Sequence, residues 1–543
     1  MKRDKMIDTI ENFAGIWDII IIGGGATGLG TAVEAASRGY KTLLLEQHDF
    51  SKGTSSRSTK LIHGGVRYLQ QGNISLVLEA LHERGMLIQN APHLVHNQAF
   101  IVPTYDWWSG PFYGVGMKVY DLMAGKFGLG PSRILSREET LAKIPTLEPK
   151  GLRGGVRYCD GQFDDSRLAI NLAQTAVDLG STPVNYIKVI GLLKSNNMIS
   201  GVMAKDMESG KEYELNGRVV INATGIFTDT ILKMDNPAAK KIITMSQGVH
   251  LTFNKEFLPG DSAIMVPHTA DGRVLFAVPW HDRVVVGTTE TAVEKATLEP
   301  CAFEEEIDFI LNHAAKYLTK DPTRNDVLSL FAGIRPLVNP GGSKESAAIS
   351  RDHFLLVSEC GLITITGGKW TTYRKMAEDA IDRAALIAGL EERQSITKNL
   401  RIHGWLKNID PNGALHYYGS DEIAIKKMIA RRPLLGDKLH ERLPFIKAEV
   451  IWAVQEEMAR TVEDVLSRRT RALLLDAKAS MEMAPETAKL MAAELRYGQD
   501  WENEQVLAYK ELARNYLPIG NMNASLVGGK YTGKSDCKYT SFA

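Results

Sequence analysis

Cysteine is scarce in this 543-residue chain: Cys159, Cys301, Cys360 and Cys537 lie far apart, and no C-x-x-C spacing occurs. Neither a zinc site nor a redox dithiol is written at such a spacing, and a reducing compartment fits best. Long apolar runs are missing too. No stretch approaches the ~20 residues a membrane span requires, and the opening MKRDKMIDTIENFAG lacks the apolar core of a signal peptide. The expected location is the cytoplasm, with peripheral attachment to the inner face of the cell membrane left open. Charge of one sign is not in excess, since Lys+Arg and Asp+Glu balance at 64 each. A nucleic-acid binder would show a basic surplus, so none is expected. A local basic pocket for an anion is not excluded. No internal repeat is present, which removes solenoid architectures. What remains, 44% hydrophobic and 24% charged residues, is the composition of a globular protein. The length exceeds one hydrophobic core and suggests two or three domains.

The first informative segment is WDIIII, Trp17 to Ile22. A short apolar run rich in β-branched residues and stopped by glycines predicts a buried parallel strand. Ala26 to Arg38 predicts a helix ended by Gly39, and Lys41 to Leu45 the next strand. Between the first strand and the helix, Gly23-Gly24-Gly25-Ala26-Thr27-Gly28 fits G-x-G-x-x-G, and Glu46 ends the second strand. In that pattern the first glycine allows a tight turn and the second a close approach to a pyrophosphate. The third lets helix and strand pack closely, with the helix N-terminus facing the phosphates. Glu46 would accept hydrogen bonds from a ribose. A glycine-rich structural turn is the bland alternative. FAD and NAD share this fingerprint. The strand leading to Ala223-Thr224-Gly225, and the helix opened by Gly367-Gly368-Lys369, favour FAD, because a second helix could aim its positive end at reduced flavin.

Elsewhere, DFSKGTSSRSTK (49–60) is a polar stretch too long for a tight turn. RVVIN (218–222) predicts a buried strand, and residues 273–288 an antiparallel pair joined at His281-Asp282. Leu362 to Thr366 predicts a last strand, then a helix to about Ala385. After residue 395 the pattern turns helical. Thr461 with Asp464 forms a capping box opening TVEDVLSRRTRALLL, and Pro485 is expected in the first turn of a further helix. We read 395–520 as a separate helical domain, which a chain ending near residue 395 could lose without losing flavin, and 521–543 as a tail.

Several motifs occur together in order: TSSRSTKLIHGGVRYL (54–69), GQFDDSRL (161–168), NATG (222–225), GTTET (287–291), GIRPL (333–337), SRDH (350–353) and GGKWTTYRK (367–375). This set resembles the FAD-dependent glycerol-3-phosphate dehydrogenases over about residues 15–390, and more weakly through TVEDVLSRRTR (461–471). The resemblance implies an α/β fold. A Rossmann-like FAD-binding domain (1–80, 155–240 and 345–394) would interleave with an antiparallel-sheet substrate domain (81–154 and 241–344), and a C-terminal helical cap domain would complete the chain. It implies FAD held without covalent attachment, sn-glycerol 3-phosphate as substrate and electrons passed to quinone at a membrane surface. A homodimer is left open. By the same resemblance Thr54, Ser55, Ser56, Gly65, Thr224, Gly225, Gly367, Gly368, Lys369, Trp370 and Thr371 would join Gly23 to Gly28 and Glu46 around the cofactor. Arg67, Tyr68, Arg335, Arg351 and Lys369 would bind substrate. The chain departs from the family pattern at Gln247, where lysine is usual, at Glu290 in place of aspartate, and at Ile226-Phe227 in place of a proline–tryptophan pair.

Oxidising a sugar-alcohol phosphate needs phosphate clamps, a base for the C2 hydroxyl, and C2 held near the flavin. Arginine suits the phosphate through its planar fork. His63 and His250 are the candidate bases, as histidine titrates near neutrality, although either can be a core or flavin-contacting residue. Arg335 is a poor base and is assigned electrostatic work. Asp160, Asp164 and Asp165 more simply cap the helix starting near Ser166 than bind a metal, and no metal is expected. The competing readings are an oxidase that passes electrons to oxygen, an amine or amino-acid oxidase on the same fold, and a non-catalytic flavoprotein.

Overall fold

The computed structural model describes residues 1–518 except 66–72, 108, 268, 270–272, 340–352 and 411–412. The tail expected beyond residue 520 therefore lies outside the described residues. Two sheets organise the molecule. The first sets strand Trp17–Ile22 between Thr42–Leu45 and Glu212–Asn222, all parallel, with Thr182–Val184 beyond one side and Ile363–Gly367 beyond the other. Parallel strands covered on both faces must be apolar throughout, and Ile19, Ile20, Ile21, Leu43 and Leu44 are fully buried. Helix Ala26–Ser37 crosses one face, stopped at Gly39 with φ +75°. The strand expected at 218–222 begins earlier, at Glu212, because its first half pairs with Met198–Asp206 in a separate meander.

The second sheet is built mainly from residues 95–163 and 243–338. Its strands Ile243–Asn254, Ser329–Val338, Leu275–Trp280 and Arg283–Gly287 run antiparallel, and the hairpin turns at His281-Asp282, both at positive φ. Two details differ from the expectation. Strand Gly154–Phe163 belongs to this sheet and not to the nucleotide fold, and Ala263–Val266 meets Val95–Thr104 in parallel.

The helices after residue 395 form the expected C-terminal helical domain, packed directly on the nucleotide fold. Their apolar residues, among them Tyr418, Ile451, Leu466 and Leu475, lie in one continuous cluster with Leu29, Ile21 and Phe163 of the nucleotide fold. Thr461 and Asp464 form the expected reciprocal cap: the Thr461 hydroxyl accepts from the Asp464 N–H (3.2 Å), and Asp464 accepts from the Thr461 N–H (3.0 Å). The cap opens onto a wide π-turn, Asp464–Arg469, broken from helix Ala472–Leu475 by Arg471 at φ +65°, and not onto one apolar helix. Pro485 lies inside helix Ala477–Leu495 rather than in its first turn. The true start is capped by Asp476, which accepts from the Ala479 N–H (2.9 Å). A buried face including Met483, Ala484 and Ala488 sustains the helix past the proline.

Candidate functional site

The glycine loop adopts the shape its pattern requires. Gly23 sits at φ +109°, where a side chain would press within 2.7 Å of the Ala223 carbonyl oxygen, and any Cβ on Gly28 would overlap the carbonyl oxygen of Gly23. The N-terminus of helix Ala26–Ser37 is left facing a cavity of about 440 Å³. Ser55 is tied to this end, accepting from the Ala26 N–H at 2.9 Å. Glu46, at the tip of its strand, accepts from the N–H groups of Gly24 (2.6 Å) and His48 (2.8 Å), and burial pushes its carboxyl above the usual range. Thr224 and Gly225 line the cavity from the neighbouring strand end. A tight backbone, a helix N-terminus and a strand-end acid fit the pyrophosphate and ribose of a dinucleotide.

The opposite wall comes from the second sheet. Arg335 and His250 lie on adjacent antiparallel strands, with Ser246 opposite Arg335 and Phe331 opposite His250. The Arg335 guanidinium is oriented by Thr288 Oγ1 (2.9 Å) and by the carbonyls of Thr289 (3.2 and 3.3 Å) and Gln247 (3.4 Å). A side chain at Gly248 would collide with it. His250 is buried, stacks on Phe331 with ring centroids 4.9 Å apart, and hydrogen-bonds Thr59 Oγ1 through Nε2 at 2.9 Å. Burial, with Lys60 and Arg335 adding to it, drives its pKa well below the ordinary 6.5, so the ring is neutral. His63 also lines the cavity. Its backbone N–H donates to Thr371 Oγ1, whose hydroxyl donates to its carbonyl, both at 3.3 Å. Lys369 and Trp370 complete this side, the Trp370 indole donating to the Ser55 carbonyl at 2.8 Å.

Beneath the wall runs a buried ionic seam. Lys60 pairs with Asp165 (2.6 Å), and Asp165 also binds Arg471 (2.8 Å) from the C-terminal helices. Burial lowers the Lys60 pKa to about 8, Asp165 opposing and Arg471 adding to the shift. Asp49 is held by Arg468 (2.5 Å) and Arg469 (2.7 Å), and Arg167 by Glu457 (2.8 Å).

Comparison with known proteins matches this frame twice along the chain. Residues 18–374 fit the FAD dependent oxidoreductase model, and residues 363–505 the C-terminal domain of alpha-glycerophosphate oxidase. The mitochondrial glycerol-3-phosphate dehydrogenase of Homo sapiens is 41% identical over 95% of this chain and 75% of its own length. That of Arabidopsis thaliana is 38% identical over 95% and 88%. The chain belongs to the FAD-dependent glycerol-3-phosphate dehydrogenase family. Among solved structures, the family member from Bacillus halodurans, complexed with FAD, superimposes with a TM-score of 0.77 at 27% identity, covering 95% of this chain and 97% of that one.

Within this family member, the two walls bring His63, His250, Arg335 and Lys369 to the same cavity as Gly23, Gly25, Glu46 and Thr54. Gly24, Gly28 and Ser56 stand behind the lining. Gly24 packs on Glu46 and Phe50, and the carbonyl of Ser56 accepts from Lys60 and Arg471. Gly65 adopts φ +80° next to the lining. Arg67, Tyr68 and Arg351 lie outside the described residues. Asp164 caps helix Asp165–Asp178 as expected, accepting from the N–H groups of Ser166 and Arg167 (each 3.1 Å). Asp160 instead pairs with Arg84 (2.7 Å) and accepts from the Tyr120 hydroxyl. Reading the sequence alone misses Thr59, Lys60 and Arg57. All three stand inside the TSSRSTKLIHGGVRYL motif, and only the fold reveals that Thr59 meets a histidine 191 residues away.

Proposed function

We propose that this chain oxidises sn-glycerol 3-phosphate to dihydroxyacetone phosphate by hydride transfer from C2 to non-covalently held FAD, and passes the electrons to a quinone at a membrane surface. The observation that carries the reading is one cavity with a dinucleotide cradle on one wall and an oriented arginine beside a buried histidine on the other. Bound FAD supplies the hydride acceptor. Glycerol phosphate offers little apolar surface, so recognition falls to its charge. Arg335 binds the phosphate, with Lys369, Arg67, Tyr68 and Arg351 as further ligands. His250, already neutral, takes the C2 hydroxyl proton, and His63 is the second candidate for that step.

The membrane part of the proposal is supported by helix Ser109–Ala124. Its inner face buries Tyr113, Met117 and Tyr120, yet Phe112, Val115, Val119 and Leu122 form an outward apolar stripe, exposed from 41% at Val119 to 81% at Leu122. Trp107 is exposed just before it, and Lys118 borders the stripe. A helix apolar on both faces suits the plane of a lipid interface. Among the described residues no helix is long and apolar enough to cross a membrane. On the inner face, the Tyr120 hydroxyl accepts from the Gly64 N–H at 2.8 Å, beside His63.

The test is anaerobic addition of glycerol 3-phosphate to the yellow protein. Bleaching of the flavin band with matching dihydroxyacetone phosphate is expected, then reoxidation by a soluble quinone faster than by oxygen. Equal bleaching by glycerol sinks the substrate assignment, and faster reoxidation by oxygen moves the protein to the oxidases. Acid precipitation should carry the chromophore into the supernatant.

A further inference from the structure

Behind Arg335, outside the cavity lining, a second carboxylate gathers more donors than its helix needs. Glu306 lies in the first turn of helix Glu304–Ala315 and is 4% exposed. One oxygen accepts from the hydroxyls of Thr289 (2.8 Å) and Thr291 (2.7 Å). The other accepts from the Gln247 side-chain amide (2.8 Å) and the Phe303 N–H (3.1 Å). Only the Phe303 bond serves the helix cap. The other three reach across to the strand and turn that carry the cavity wall. Thr289 is pinned further, since its hydroxyl accepts from the Val249 N–H at 3.0 Å.

Two of the three residues whose side chains meet Glu306, Thr289 and Gln247, present their carbonyls to Arg335. Carbonyls orient the guanidinium fork, and a misdirected fork loses its bidentate match to an anion. We infer that Glu306 is a positioning residue for Arg335, fixing the fork through Thr289 and Gln247 so that it meets the substrate phosphate. This rests on the proposed role of Arg335. The helix N-terminus tolerates the buried charge, because its dipole favours an anion there.

Glu306→Gln keeps the volume but can accept through only one atom. Its oxygen must stay with Gln247 and the Phe303 N–H, which cannot accept. Its NH₂ then faces Thr289 and Thr291 and turns Thr289 from donor to acceptor. With glycerol 3-phosphate and a dye acceptor, Glu306→Gln holoenzyme should raise KM roughly tenfold with kcat changed far less, and weaken competitive inhibition by inorganic phosphate in proportion. In an Arg335→Ala background the same substitution should add about nothing, since a residue acting through Arg335 has nothing left to position. An undiminished loss in that background shows a structural role and overturns the inference, as does unchanged phosphate affinity in Glu306→Gln. An Arg335→Ala enzyme with full kcat/KM overturns both this inference and the reading beneath it. A damaged Arg335→Ala with an intact Glu306→Gln overturns this one alone. If Glu306→Gln does not hold FAD, Thr289→Val, which removes the linking hydroxyl, is read the same way.

Discussion

Arg335 and His250 carry opposite electrostatic tasks a few residues apart in strand register. A charge-assisted bond to phosphate is worth about 1.5–3 kcal/mol net, so Arg335→Ala should lower kcat/KM for glycerol 3-phosphate roughly tenfold to a hundredfold. Arg335→Lys should recover only part, because an ammonium cannot reproduce the fork seated on Thr288 and Thr289. Full activity in Arg335→Ala would remove it from the pocket. For His250 the sign follows from burial. The neutral form is the base, and a pKa driven well below 6.5 by desolvation, Lys60 and Arg335 keeps it neutral as pH falls. The acid limb of kcat/KM should therefore lie clearly below 6.5. A limb at 6.5 that disappears in His250→Asn would show that the ring titrates normally. The arginine was readable in GIRPL. The state of the histidine was not, because Thr59, Lys60 and Phe331 reach it only in the fold.

Among the elements, the joint between helix Asp165–Asp178 and the C-terminal helices carries its own pH signature. His403 bridges Asp178 (2.6 Å) and Asp421 (3.0 Å). Burial alone would lower its pKa, but the two carboxylates raise it to about 9. A raised folded-state pKa gives stability that is complete below about 6.5, the unfolded histidine value, and lost as pH climbs toward 9. Chemical denaturation should show stability falling across that window, and His403→Gln should flatten the fall. An unchanged slope in the variant would place the titration elsewhere. Elements with strong local patterns were legible: the strand at Trp17, the glycine-stopped helix, the hairpin turning at His281. The π-turn at Asp464–Arg469 was not, since nothing local says that Arg468 and Arg469 must turn inward to reach Asp49. Pro485 misled for a similar reason. A proline within a helix costs about 3 kcal/mol or more, and the sequence does not display the buried face that outweighs it.

For the whole molecule, the ionic seam contradicts the idea of a dispensable C-terminal domain. Cutting near residue 395 strips Asp49 of Arg468 and Arg469, and Arg167 of Glu457, all buried. A buried charge left without its partner costs about 3–5 kcal/mol. Two such losses are comparable to the whole stability of a domain, about 5–15 kcal/mol, before the newly exposed apolar surface is counted. The truncated chain should be insoluble or devoid of flavin. A soluble, yellow, cooperatively melting fragment would show that the nucleotide fold stands alone. Interleaving was an implication of the family resemblance. The dependence of the nucleotide fold on the C-terminal helices was not legible, because partners 306 and 420 residues apart leave no local trace.

That span has a consequence for biosynthesis. Asp49 leaves the ribosome 420 residues ahead of Arg469, an interval of roughly 20–85 s at about 5–20 residues per second. Throughout it Asp49, at the head of the loop that carries the cavity-facing serines, lacks both of its arginines. Flavin is therefore expected to be held only by chains that have been made through Arg469.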